Sequence, residues 1–251
     1  MGTENPGRPA LSKQLDELRL SLSFDLPHEL RAPLHVILGC SHSLISHDPE
    51  QWPESSSILS IQTAIYESAL RLQHLIENYL LYAHLRLMEV EPERSQQKAV
   101  WQHGDWLMTE AVIAPVALSK AEKVQRQADL RLELAEAVVQ ISERSLQKIV
   151  DELVDNALKF SESGSLIHVV TLVSKHHWMI KVTDRGRGMT TGQIASIGAF
   201  RQFEREHYEQ QGSGLGLIIV RLLTQLNGGK LTIESVPKQG TTVTVAFKRS
   251  V

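Results

Sequence analysis

Leu11, Leu15, Leu18 and Leu22 repeat at the 4,3,4 spacing of a coiled-coil seam, and Leu26, Leu30, Leu34 and Ile37 extend it with further four-residue steps. The pattern predicts one helix from Leu11 to about Ser46, broken by His47-Asp48-Pro49-Glu50-Gln51-Trp52-Pro53. Ser55 to Ser57 can then cap a second helix. It runs to about Met88, with Ile58, Ile61, Ile65, Leu72, Leu75 or Ile76, Tyr79 and Ala83 on one side. Two long amphipathic helices joined by a short loop cannot bury both apolar faces alone. Pairing of two hairpins as a four-helix bundle, and hence a homodimer, is expected.

Within the first helix His28 lies two positions from Leu26 and from Leu30, roughly 160° around from both, and so is expected to face solvent. Glu29 stands beside it. Pro27 and Pro33 each remove a backbone N–H and should bend or loosen the helix there. An outward histidine beside an acid is by itself ordinary surface chemistry; the rest of the chain gives it meaning.

The net charge of -3 and pI near 6.4 provide no general attraction to nucleic acid or anionic lipid, and no basic run carries interleaved aromatics. No apolar segment approaches the roughly 18 residues that span a bilayer, and no signal peptide opens the sequence, so a cytoplasmic location is expected. A single cysteine, Cys40, leaves neither an internal disulfide nor a cysteine-based zinc site.

Residues 1–10, with their glycines and prolines, read as a disordered linker or tag, and 11–92 as the helical hairpin. The pattern lapses around Glu91-Pro92-Glu93-Arg94-Ser95, and 93–251 reads as a second domain of mixed α/β type. Its expected elements begin with a helix from Gly104 to Val124 interrupted by Pro115, then strands at Leu130–Leu134 and Val138–Ile141. A helix from Ser142 to Phe160 follows, then strands Leu166–Val173 and Trp178–Thr183 joined at Lys175-His176. After a long irregular stretch come a helix from Leu215 to Leu226 and a hairpin of Leu231–Ser235 with Thr241–Phe247. The whole is α+β: a helical hairpin followed by a mixed sheet covered by helices on one face.

On the helix ending at Phe160, Glu152, Asn156 and Lys159 share a stripe about 60° wide beside an apolar stripe of Leu146, Ile149, Val150, Leu153, Ala157 and Phe160. An exposed acid, amide and cation side by side suit a metal-bound polyphosphate, since Mg²⁺ takes oxygen ligands together with phosphate and water. Such a stripe can equally be a solvated helix face. Asp184-Arg185-Gly186-Arg187-Gly188 follows a strand: its carboxylate can accept from an exocyclic amine such as adenine's, and its glycines let backbone approach the ring. Gly212-Ser213-Gly214-Leu215-Gly216-Leu217 opens a helix, where unpaired N–H groups and the dipole favour phosphate. It lacks both the Lys-Ser/Thr ending of a P-loop and the strand-turn-helix setting of a dinucleotide fold. Phe200 and Phe203 lie between the glycine clusters in a stretch long enough to act as a lid.

Taken together, these motifs resemble those of a bacterial sensor histidine kinase of two-component signalling. The His-Glu-Leu-Arg-x-Pro-Leu run at His28 resembles the phosphoacceptor motif, Glu152 to Phe160 the asparagine box, and Asp184 to Gly188 the first glycine box. Phe200 to Phe203 resembles the phenylalanine box and Gly212 to Leu217 the second glycine box, all in the family's order. The resemblance implies a dimerising phosphotransfer hairpin followed by an ATP-binding domain of the gyrase and Hsp90 type. By position it implies His28 as phosphoacceptor with Glu29 orienting it or taking its proton, and Asn156, with Glu152 beside it, at Mg²⁺. It further implies Lys159 at the phosphates, Asp184 at adenine, and Phe160, Gly186, Gly188, Phe203, Gly212, Gly214, Leu215 and Gly216 around the nucleotide. The implied partner is the receiver domain of a response regulator on another chain or a missing segment. Transfer within or between protomers stays open.

Two departures bear on activity. Glu152 stands where such kinases often carry Asn, and in related hydrolytic ATPases a Glu there activates water. A hydrolase, or a dimeric nucleotide-binding scaffold without phosphotransfer, are therefore the rival readings. Ala32, four residues after His28, stands where relatives with phosphatase activity carry Thr or Asn to hold a water. A methyl group cannot hold it, so Ala32→Thr is expected to raise dephosphorylation of the regulator in a purified assay; no gain contradicts this.

Overall fold

The computed structural model describes residues 26–46, 55–90, 100–102, 104, 106–197 and 214–249. The chain divides into two compact units, Met1–Arg86 and Leu87–Val251.

In the first unit, helix α1 spans Leu26–Ser46 and helix α2 spans Ser55–Val90. The seam expected before Leu26, the breaker around Pro49 and the linker at 1–10 lie outside the described residues. On α2 the expected seam is the covered side: Leu75 and Tyr79 are buried and Ile58, Ile61, Ile65, Leu72 and Ala83 are half-buried, while Tyr82 and Leu85, not part of the expected seam, are buried as well. Asn78 is buried on the same side. Leu34 and Leu38 on α1, and Leu59, Tyr66, Leu70 and Leu80 on α2, remain exposed in the single chain. Pro33 lies inside α1 without ending it.

The second unit is built on a five-stranded sheet ordered β2-β4-β5-β7-β6, where β2 is Leu130–Glu133, β4 Ile167–Val173, β5 His177–Thr183, β6 Lys230–Val236 and β7 Gly240–Lys248. Alternation of buried and exposed positions along β4, β5 and β7 directs Ile167, Val169, Thr171, Trp178, Ile180, Val182, Val243, Val245 and Phe247 to one face. The cross-strand register brings Val169 opposite Val182, Ile180 opposite Val245, and Trp178 opposite Phe247, whose rings stack at 6.0 Å. β2 joins β4 in parallel, a pairing that requires a crossover between them.

That crossover is helix α4, Glu143–Phe160, capped by Ser142, whose hydroxyl accepts from Ser145 N–H. Leu146, Ile149, Val150, Leu153 and Ala157 are all buried, as the apolar stripe predicts, and Phe160 is half-buried. α4 packs against helix α3 (Thr109–Lys123), against β5, and against helix α6 (Leu215–Leu226). Lys120 of α3 reaches Asp151 at 3.0 Å and Asp155 at 3.2 Å on α4. Burial pushes its ammonium down, but Asp155 and Asp151 outweigh that effect and hold it above the ordinary lysine range.

Three expectations are corrected. The residues before Thr109 form a strand, β1 (Trp106–Met108), paired antiparallel with β3 (Val138–Gln140) in a separate two-stranded sheet; Pro115 lies within α3 rather than interrupting it. A long-range pairing thus overrides the local helix signal, and Trp106 on this strand is exposed. The stretch after Gly188 contains a short helix, α5 (Thr191–Ser196), closed by a capping box between Thr190 and Gln193.

Because Ile149 is sealed between α4 and the rest of this core, Ile149→Ala is expected to destabilise the second unit by about 2–5 kcal/mol, read as a shifted denaturant midpoint. A loss below about 1 kcal/mol contradicts this placement.

Candidate functional site

α4 carries the residues around which the site forms. Its polar stripe is not the open face expected: Glu152 is buried, with 3 % of its surface exposed, Asn156 is half-buried and only Lys159 is exposed. The cause is α6. Its second residue, Gly216, comes so close that a Cβ there would fall 2.4 Å from Glu152 Oε2 and 3.4 Å from Asn156 Nδ2. Contact therefore requires glycine and buries the acid. A buried carboxylate needs a counter-charge, supplied by Lys148, whose Nζ donates to Glu152 Oε1 at 2.6 Å across one helical turn.

α6 starts at Gly214, the N-cap, with φ of 65°, a left-handed conformation that glycine adopts without strain. Leu215 beyond it is buried and anchors the turn. The first amides of a helix have no partner within it, so this end is suited to oxyanions. Asn156 adds an amide whose Nδ2 is buried without a hydrogen-bond partner among the described residues. Since the two ends of an amide are assigned by their partners, an oxygen facing a hard cation suits this position as well.

At its other end α4 receives the loop after β5. Arg187 N–H donates to Phe160 O at 3.1 Å, and a Cβ at Gly186 would lie 2.1 Å from that same carbonyl. Arg187 also stacks its guanidinium 4.3 Å from the Phe160 ring centre, and Lys159 Nζ lies 5.3 Å from it. Asp184 is fixed from both directions: its N–H donates to Thr241 O at 2.9 Å and its Oδ1 accepts from Gly186 N–H at 2.8 Å. Burial pushes its carboxyl above the ordinary aspartate range, against the hydrogen bonds that the carboxylate receives from the backbone at Gly186 and Thr241, which pull it down. Gly188, with φ of 65°, carries the loop over to the β6–β7 hairpin, where Lys238 N–H donates to Arg187 O at 2.7 Å.

Glu152, Asn156 and Gly216 are thus brought together at mid-helix. Phe160, Asp184, Gly186 and Gly188 assemble at its C-terminal end. The four residues from Asn156 to Phe160 separate the two groups by about 6 Å along the axis. An oxyanion site at one end and a buried acceptor for an amine at the other can hold a small molecule with both features. Phe203 and Gly212 lie outside the described residues. His28 is placed on α1 by its backbone, its side chain being outside them, and Glu29 is half-buried on the same helix. Lys148 was not singled out in the sequence, although a Lys four residues before a Glu on a helix is a legible charge pair. The partners of Asp184 on the hairpin had no local signal. The exposed His176 and His177 sit at a hairpin turn, and no metal-binding cluster occurs among the described residues. No helix among them is long and apolar enough to cross a membrane.

Comparison with known proteins agrees with this geometry. Residues 21–87 match the His Kinase A (phospho-acceptor) domain, and residues 141–251 match the histidine kinase-, DNA gyrase B- and HSP90-like ATPase family. The chain is 33% identical over 224 residues to the histidine protein kinase DivJ of Caulobacter vibrioides, covering 88% of this chain and 36% of that one. It is 25% identical over 241 residues to the heme sensor protein HssS of Staphylococcus saprophyticus, covering 94% and 48% respectively. It therefore spans about a third to a half of the length of these curated relatives. Among solved structures, the histidine kinase AdeS of Acinetobacter baumannii shares the fold with a TM-score of 0.65 at 20% identity, over 89% of this chain and 98% of that one. With a phosphoacceptor-type hairpin, an ATPase-type domain after it, and relatives along nearly its full length, the chain belongs to the bacterial sensor histidine kinases.

Proposed function

We propose that the second unit binds ATP around α4 and that its γ-phosphoryl group passes to a ring nitrogen of His28 and then to an aspartate of a response-regulator receiver domain. The observation that carries this reading is the convergence of both glycine loops on one helix. Gly216 abuts Glu152 and Asn156, and Gly186 abuts Phe160, at a separation that suits phosphates at one end and adenine at the other. In this reading Asp184 accepts from the adenine amine and the free amides after Gly214 take phosphate oxygens. Lys159 neutralises them, and Phe160, Leu215 and the glycines wall the pocket, with Phe203 and Gly212 in the lid.

Asn156, through its amide oxygen, and Glu152, through Oε2, are the groups that would hold Mg²⁺, which when bound neutralises phosphate charge. Glu152 Oε1 accepts from Lys148 Nζ, so the negative charge of this carboxylate is shared with that ammonium. His28 must react as the neutral imidazole, since only an unprotonated ring nitrogen has the lone pair that attacks phosphorus. The N–P bond forms as the bond to the ADP oxygen breaks, and Glu29 takes the proton of the other ring nitrogen, so that catalysis rests mostly on positioning. Exposed Leu34, Leu38, Leu59, Leu70 and Leu80 supply an apolar surface for a second hairpin, supporting the homodimer.

With γ-labelled ATP, acid-labile and base-stable label is expected on the protein and is abolished by His28→Gln. Label that survives this change, or ADP release without label, contradicts the reading. Asp184→Asn is expected to weaken ADP binding by about 1.5–3 kcal/mol, on the order of 10- to 100-fold. The ionised carboxylate accepts a stronger, charge-assisted hydrogen bond from adenine than the protonated acid does, and burial raises its pKa, so ADP affinity should fall with acidification from a pH above the ordinary aspartate range. The same shift makes the ionised form a cost to stability that is relieved, not worsened, as pH drops through the raised value. An ADP titration series unchanged by pH, or an Asp184→Asn protein binding ADP like the parent, contradicts the assignment.

A further inference from the structure

The C-terminal end of a helix leaves carbonyls that need donors, and water or a glycine turn usually supplies them. At the end of α4 a remote arginine does so instead. Arg126, with 7 % of its surface exposed, donates from Nη1 to Leu158 O at 2.6 Å and Ser161 O at 3.0 Å. From Nη2 it donates to Glu162 O at 2.6 Å and Ser161 Oγ at 3.2 Å. Its Nε pairs with Asp129 Oδ2 at 2.6 Å, and the same oxygen accepts from Gly164 N–H at 2.9 Å. The pair thus encloses the whole turn after α4.

Two features mark this as more than an incidental helix cap. Arg126 is aimed by a Schellman turn ending α3, in which Arg126 N–H donates to Ala121 O and Gln125 N–H to Glu122 O. The left-handed position of that turn, φ of 56°, is held by Gln125 where glycine would be unstrained. Secondly, the carbonyls held by Arg126 bracket Phe160, whose own carbonyl receives Arg187 N–H and lies against Gly186. The loop that carries Asp184 is therefore seated on a helix end whose shape Arg126 sets.

We propose that Arg126 is a positioning residue for nucleotide recognition: by fixing the carbonyls on either side of Phe160 it sets where Asp184 stands, and hence how well the site tells adenine from guanine. This rests on the nucleotide reading given above. Arg126 touches neither end of the ligand site, and its effect passes through Phe160. Lysine retains the charge but cannot span Leu158, Ser161 and Glu162 together.

The test measures Kd for ADP and for GDP on the full chain, parent and Arg126→Lys, at a temperature where circular dichroism shows both folded. The expected result is a parent that prefers ADP and a variant whose ADP/GDP preference falls roughly tenfold, as for loss of one charged hydrogen bond. A general loosening would weaken both nucleotides alike and leave the ratio unchanged, which overturns the proposal. Should Arg126→Lys fail to fold, Asp129→Asn decides: it keeps an acceptor for Gly164 N–H and weakens the hold on Arg126, so the ratio should fall about two- to threefold, and an unchanged ratio overturns the proposal. A parent protein that binds neither nucleotide refutes the underlying reading instead.

Discussion

The site depends on two places where backbone meets α4 with no room for a Cβ. At Gly216 the obstacle is the Glu152 carboxylate, and at Gly186 it is the Phe160 carbonyl. These approaches bring two loops distant in sequence onto one helix about a turn apart. A side chain at Gly186 would meet the Phe160 backbone and push its loop outward, and one at Gly216 would displace the Glu152 carboxylate. The chemistry proposed for the protein follows from that closeness, because amides and carboxylates only a few ångströms from a ligand act with little water between them.

Holding α4 still is the work of its other faces. Leu146, Ile149, Val150 and Leu153 lock it into the core, Lys120 ties it to α3, and Arg126 secures its C-terminal end. The buried Glu152 is tolerable because Lys148 compensates its charge; without that partner a carboxylate at such depth would destabilise the fold. Stability and the proposed function therefore meet on one helix, whose apolar face belongs to the core and whose polar stripe is assigned to the ligand in the proposed reading.

Much of this was readable beforehand, and the reasons are local. The apolar stripe of α4 repeats at helical spacing, Ser142 is a good cap, and Gly214 and Asn227 bracket α6, so these elements appear nearly where the residues put them. The β4–β5 and β6–β7 hairpins announce themselves by alternation. What could not be read is what depends on contacts across the fold. β1 forms only because Val138–Gln140 lies beside it, Glu152 is buried only because α6 covers it, and Arg126 gives no sign in sequence of reaching a helix end more than thirty residues on. The motifs pointed to these residues; the burial of Glu152, its counter-charge and the supports of the helix came from packing.

The central claim is that a purine nucleotide lies between the Asp184 loop and the start of α6, along α4. Hydrogen exchange of the full chain with and without ADP, followed by mass spectrometry, tests this directly. The account predicts slower exchange in the segment covering Asp184 to Gly188 and in the first-turn amides of α6, with the edge strand Leu130–Glu133 unchanged. Protection confined to other regions, with those two segments exchanging as in the free protein, would contradict it.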